Sequence, residues 1–145
     1  MENDVKQISV FLENKPGRLN AMTQVLADNN IDMRALSLAE TKDFGIARMI
    51  VDNVYNTMTV LKDAGYVCLM TPVLAVLIPD EPGGLSKVLD YFTRANVNVE
   101  YMYAFMDSAM DDAYMIFRVE DTKAAEEALA GTGIRVVGQD EISNL

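Results

Sequence analysis

The sequence predicts an α+β chain made of two copies of one βαββαβ unit. Three observations carry that prediction. First, Glu13-Asn14-Lys15-Pro16-Gly17-Arg18-Leu19 returns 66 residues later as Pro79-Asp80-Glu81-Pro82-Gly83-Gly84-Leu85. Second, each copy follows a short apolar run, Ile8 to Leu12 or Leu74 to Ile78. Each also precedes apolar residues at helical spacing, Leu19, Met22 and Leu26 or Leu85, Val88, Leu89 and Phe92. Both copies are therefore strand-to-helix turns. Third, residues 8–38 align with 74–104 without a gap, keeping Val10/Val76, Pro16/Pro82, Gly17/Gly83, Leu19/Leu85 and Asn30/Asn96. Further on the offset becomes 68, through a two-residue insertion around Asp107 to Asp112, and Gly65 meets Gly133. Self-similarity at a fixed period marks a duplicated unit. The units are expected at residues 1–72 and 73–145.

The elements follow in order. A strand (6–13; 73–79) leads through Pro-Gly into a helix (17–29; 83–95). Asn30 or Asn96 ends that helix, as Asn does in a left-handed cap. A second strand (31–40; 97–106), a loop rich in Asp and Gly (41–45; 107–112) and a third strand (46–52; 113–120) come next. A second helix (55–64; 122–131) carries Thr57, Val60, Leu61 and Ala64, or Ala125, Ala128, Leu129 and Thr132, at spacings of 3, 4 and 7. Gly65 or Gly133 closes it, and a fourth strand (66–71; 134–139) completes the unit. This is the ferredoxin-like plan: a four-stranded antiparallel sheet with both helices on one face. The joint is only Met70-Thr71-Pro72-Val73, so the units are expected to pack side by side. Val73 to Ile78 and Ala113 to Phe117 are apolar without alternation. Such runs predict strands buried on both faces, and a second copy of the chain is the expected cover, giving a homodimer.

Composition excludes several functions. The net charge is −10, with nine acids against seven bases in residues 1–72 and thirteen against five in 73–145. Such a surface repels nucleic acid. The chain has no histidine and one cysteine, Cys68. The commonest general base and metal ligand are thus missing, and zinc sites and Ser-His-Asp chemistry are excluded. Cys68 lies in the apolar run Tyr66 to Met70 and reads as a core thiol. Asp111-Asp112 and Glu126-Glu127 are adjacent carboxylates that diverge, so they read as solvated charge. No metal or cofactor is expected. No apolar run approaches the roughly 18 residues of a membrane span. The charged first eighteen residues do not read as a signal peptide, and the cytoplasm is the expected compartment.

The Pro-Gly turn is the candidate site. Pro fits the first turn of a helix, because it has no N–H to lose there. Gly lacks a Cβ, so another group can approach the backbone. The free N–H groups and the positive end of the helix dipole suit a carboxylate. An ordinary connection needing Pro and Gly only for shape is the competing reading, and the repetition argues against it.

An apolar strand, a polar residue, Pro-Gly-x-Leu, a helix, and Asn-Ile or Asn-Val opening the next strand resemble the ACT domain. The resemblance covers almost the whole chain twice. Asp80 to Leu85 with Asn96 to Phe105 is similar to a small bacterial and archaeal family of stand-alone tandem ACT proteins. The resemblance implies a non-catalytic regulatory protein that binds an amino acid or similar effector where two domains meet. It implies contacts from Asn14, Lys15, Pro16, Gly17, Arg18, Leu19, Asn30 and Ile31. The second unit's contacts would be Asp80, Glu81, Pro82, Gly83, Gly84, Leu85, Asn96, Val97 and Asn98. Asn14 stands where the second unit has Asp80, and Arg18 where it has Gly84, so the two sites need not be equal.

The residues support that implication independently. Backbone N–H groups would take the carboxylate of a free amino acid. Asp80, Glu81 or Asn98 would take its ammonium, and Asn96 either group. Tyr101 and Tyr103 share one strand face and are candidates for a side-chain pocket or for sheet packing. No group offers a catalytic role, and RNA binding is opposed by the charge. The alternative function is a regulatory subunit that controls a separate enzyme of amino-acid biosynthesis.

Overall fold

The computed structural model describes residues 4–106 and 112–145. Its elements run β1 (Val5–Glu13), α1 (Arg18–Asp28), β2 (Met33–Glu40), β3 (Phe44–Val51), α2 (Val54–Asp63) and β4 (Val67–Pro79). They continue with α3 (Gly84–Arg94), β5 (Val99–Met106), β6 (Asp112–Val119), α4 (Thr122–Leu129), β7 (Arg135–Val137) and α5 (Gln139–Ser143). The order follows the expected βαββαβ plan twice, and β1–β3, β2–β3, β4–β6, β4–β7 and β5–β6 pair antiparallel.

Two differences stand out. The strands expected at 66–71 and 73–79 are one strand, β4, of 13 residues, so the sheet has seven strands. Pro72 interrupts neither its direction nor its extended backbone, because Pro tolerates extended geometry where its missing N–H is not needed. The second difference is α5. A helix of 5 residues is too short for periodicity to reveal.

The chain divides into two compact units. The first comprises Lys6–Thr71 and Ile142–Leu145, and the second comprises the described residues of Pro72–Glu141 with Asp4 and Val5. In the first, the strand order is β2-β3-β1-β4. Ile8, Val10 and Leu12 of β1 and Ala47, Met49 and Val51 of β3 meet Met22 and Leu26 of α1 and Leu61 of α2 in one core. Cys68 lies in the same core, and burial pushes its thiol pKa up against the pull of Lys62. It is a packing residue of the core, as expected.

In the second unit β5, β6, β4 and β7 are neighbours in that order. Leu74, Val76 and Ile78 of β4 pack with Met115, Phe117, Val88 and Phe92, and Phe92 and Phe117 meet edge to face at 5.2 Å. The other face of the sheet is also buried. Val73 and Ala75 are 0% exposed and Ile116 likewise, as the unalternating runs predict. The insertion around residues 107–112 and the Asp111-Asp112 pair fall largely outside the described residues.

Helix ends follow their sequence signals. Asn53 and Asp121 cap α2 and α4, each side chain accepting from the N–H of the residue three further on, at 3.1 Å. Asn30 and Asn96 are the two non-glycine residues with positive φ among those described, 56° and 57°. The N–H of Ile31 donates to the carbonyl of Leu26 at 3.0 Å, and that of Val97 to Phe92 at 2.8 Å. These are Schellman closures, with Asn in the left-handed place. Gly65 closes α2 the same way, through Tyr66 to Leu61 at 3.0 Å. Gly133 does not close α4, which already ends at Leu129 with extended Ala130.

The chain's last residues are anchored in the first unit. Arg34 of β2 donates to the carbonyls of Ile142 (3.1 Å) and Ser143 (3.0 Å) and pairs with Asp32. Ile142 is fully buried. Ile142→Ala should therefore cost about 2–5 kcal/mol, the range for emptying a buried aliphatic site. Urea denaturation checks this, and a change below about 0.5 kcal/mol would show that the C-terminal segment adds nothing to the fold.

Candidate functional site

The repeated turn has one backbone design in both units. Lys15-Pro16-Gly17-Arg18 and Glu81-Pro82-Gly83-Gly84 each close by an N–H of the fourth residue donating to the carbonyl of the first, at 3.3 and 3.1 Å. Gly17 has φ 84°, ψ −10° and Gly83 has φ 86°, ψ −6°. Pro at the second position and a left-handed Gly at the third make a type II turn. Pro16 and Pro82 thus precede the helix instead of occupying its first turn, because the turn has to finish before the helix starts. No side chain caps α1 or α3, unlike α2 and α4. The bonds of this region run from Gly84 to Glu81 and from Lys87 to Gly83. The N–H groups of Leu85 and Ser86 lie between them, among the orphan donors of a first helical turn. Leu19 and Asn20 stand in the same place in α1.

The surroundings of the two turns differ. In the second unit Glu81, Pro82, Gly83 and Gly84 line a cavity of about 380 Å³, within the roughly 300–1,000 Å³ of small-molecule sites. Leu77, Ile78, Val88 and Lys87 also line it, with Thr132, Gly133 and Ile134 from the α4–β7 loop. Asp80 is exposed and outside this lining. Leu85 packs against the core. A Cβ on Gly84 would lie 2.6 Å from the carbonyl oxygen of Pro79, whereas one on Gly83 would meet nothing within 4 Å. Gly84 is thus required by close backbone approach, and Gly83 by its φ alone.

In the first unit Asn14, Lys15, Arg18 and Leu19 line only a cleft of about 80 Å³, with Leu12, Glu13, Leu38, Glu40 and Gly45. Asn14 is tied to the β2–β3 turn, donating from Nδ2 to Glu40 (3.0 Å) and to the carbonyl of Thr41 (3.3 Å). Lys15 and Arg18 pair with Glu13 at 2.9 and 3.5 Å. Hydrogen bonding and charge from Lys15, then the charge of Arg18, hold the Glu13 carboxyl below its ordinary pKa. Arg18 is therefore engaged within its own turn. Pro16 and Gly17 are exposed and do not line the cleft.

The strand-side residues lie elsewhere. Asn96, Val97 and Asn98 line a separate cavity of about 170 Å³ with Glu100, Glu120 and Asp121. It sits at the C-terminal end of α3, whose 11 residues span about 16 Å. Within the second unit, then, the turn residues and the Asn96–Asn98 residues are not brought together. In the first unit Asn30 is exposed and Ile31 joins the core. Tyr101 and Tyr103 pair with Arg118 and Ile116 on the sheet face away from the helices, since Met102 between them joins the helix-side core. They line neither cavity of this unit. Lys87, Thr132, Gly133 and Ile134 were not expected from the sequence. The Gly131-Thr132-Gly133 run was the available signal, since its two glycines have φ of 74° and 84°. Among the described residues no cluster of His, Cys, Asp or Glu is arranged to hold a metal ion. None of their helices is long and apolar enough to cross a membrane.

A family model described as "ACT domain pair" matches residues 3–145. The chain belongs to the ACT domain pair family. Among solved structures it is similar to protein BT0572 from Bacteroides thetaiotaomicron, with 36% identity and a TM-score of 0.91 over 98% of this chain and 97% of that one. The ACT pair also shares its fold with the regulatory subunit of aspartate kinase from Thermus thermophilus, at 17% identity and a TM-score of 0.66, covering 87% and 91% of the two chains. The corresponding subunit from Thermus flavus gives 16% identity and 0.60 over 87% and 90%. Among curated proteins none matches.

The two glycines of the second turn should separate by mechanism. Gly83→Ala should cost about 1–2 kcal/mol, the strain of a left-handed Cβ, with the turn preserved. Gly84→Ala should instead displace the turn from Pro79. Denaturant titration with backbone chemical shifts checks both. A Gly84→Ala protein with unshifted amides at residues 79–86 would contradict the packing account.

Proposed function

We propose that this ACT pair is a non-catalytic regulatory protein that binds a free amino acid at the second unit's turn. The observation that carries this reading is the contrast among helix starts. Two helices are closed by side-chain caps, whereas the two that follow Pro-Gly are left open. At α3 that opening borders a cavity of small-molecule size. The orphan N–H groups and the helix dipole would take the carboxylate. Lys87 adds positive charge, and Glu81 offers the ammonium a partner. The remaining expected contacts, Asn14 to Leu19 with Asn30 and Ile31, and Asp80, Leu85 and Asn96 to Asn98, are kept as candidates. The strand-side groups would complete a site only with a turn from another ACT unit, as in a homodimer. The cytoplasm is the proposed compartment.

A second reading is a subunit that controls a separate enzyme. Phe11, Phe44, Val67 and Leu69 lie on the face of the first unit's sheet away from its helices and are 37–67% exposed. An apolar group of this kind suits a partner surface. The shared fold with regulatory subunits of aspartate kinase accords with it. An enzyme that co-purifies in fixed ratio would favour this reading.

A thermal-shift screen of the twenty amino acids tests the ligand. At a hundredfold excess over Kd the bound amino acid should add about 2.7 kcal/mol, several degrees for a chain of this size. A flat response to all twenty would sink the amino-acid reading.

A further inference from the structure

The second strand of each repeat starts with the same irregularity. β2 has a register shift between Met33 and Ala35, and β5 has one between Val99 and Tyr101. The residues inside these bulges are Arg34 and Glu100, at the repeat distance. A bulge re-aims the side chain of its extra residue. Beside Glu100 the second unit holds the cavity of about 170 Å³, with Asn96, Asn98, Glu120 and Asp121 in its lining. The repeat puts Asn30, Asp32, Arg34, Asp52 and Asn53 at the matching places of the first unit.

In the first unit the chain's own end is gathered at that place. Arg34 donates from Nε to the carbonyl of Ile142 (3.1 Å) and from Nη2 to that of Ser143 (3.0 Å), and its Nη1 pairs with Asp32. Asp32 and Asp52 are joined in turn. The N–H of Asp32 donates to Oδ1 of Asp52 (3.3 Å), and the N–H of Asp52 to the carbonyl of Asp32 (3.1 Å). Ile142 is 0% exposed, and the N–H of Leu145 turns back to its carbonyl at 3.3 Å. Ile142–Leu145 belongs to this compact unit.

One residue accounts for the difference between the repeats. A guanidinium has five donors and no acceptor, so it can hold two carbonyls and a carboxylate at once. A carboxylate in the same bulge has no donor for a carbonyl. Glu100, Glu120 and Asp121 are exposed and leave the second unit's cavity acidic. We propose that residues 142–145 are a built-in plug. They fill the first unit's copy of this cavity, Arg34 holds them there, and the second unit's copy stays open. Release of the plug would free a second such cavity in the same chain. The inference is independent of any ligand at the Pro-Gly turn.

A chain shortened to residues 1–141, with a synthetic peptide of residues 139–145, tests this by NMR. In the shortened chain the amides of residues 29–34 and 52–53 should leave their positions in the full chain, and added peptide should return them. The same peptide should leave those amides of the full chain unmoved, because its own end fills the place. Arg34→Met keeps the apolar stem and loses the donors. In the shortened chain it should weaken the peptide's effect by about tenfold or more, the worth of hydrogen bonds to a charged group. If the shortened chain fails to fold, Arg34→Met in the full chain replaces it. The Ile142 methyls should then move to unstructured positions while those of Val76 and Ile116 stay. Equal peptide shifts in the full and shortened chains, displaced amides that the peptide does not return, or Ile142 methyls unmoved by Arg34→Met would overturn the inference.

Discussion

Left-handed backbone at both ends of the first helix of each repeat is the constraint on which the rest depends. Gly17 and Gly83 hold it before the helix, Asn30 and Asn96 after it. At the front, the left-handed Gly finishes a type II turn that only Gly enters without strain. At the back, the left-handed Asn lets two N–H groups return to the last carbonyls, and the chain leaves directly into the next strand. These four residues lie at the repeat distance and are among the few identical between the copies. Their conservation of shape has a local cause, independent of any ligand.

The same constraint leaves chemistry behind. A helix opened by Gly has no side chain to satisfy its first donors, and both repeats share that feature. What differs is the neighbourhood. In the first unit Glu13 gathers Lys15 and Arg18, and Asn14 is spent on the β2–β3 turn. In the second, Pro79 and Gly84 bring strand and turn together, and a shortened α4 releases the loop that widens the cavity. Duplication gave two equal turns, and the flanking residues made them unequal.

Much of this was readable from the sequence. The repeat, the βαββαβ order and the core residues followed from apolar spacing and the Pro-Gly and Asn signals. The two-faced burial of Val73 to Ile78 followed from its lack of alternation. Other features were not readable, each for a physical reason. Val67 to Pro79 reads as two strands because Pro72 is a breaker, yet extended backbone tolerates it. The end of α4 is decided by Ala130 and Gly131 against a periodicity that continues to Thr132. The joining of Thr132–Ile134 to the turn, and the separation of Asn96–Asn98 from it by the length of α3, depend on tertiary placement that no local pattern encodes.

The central claim is that the open turn at α3 receives the carboxylate of an amino acid. A crystal structure of the protein grown with the amino acid that stabilises it most tests this directly. The account predicts a carboxylate within hydrogen-bonding distance, about 2.7–3.2 Å, of the N–H groups of Leu85 and Ser86. A ligand bound away from Glu81–Ser86, or one that turns its side chain to this helix start, would contradict it.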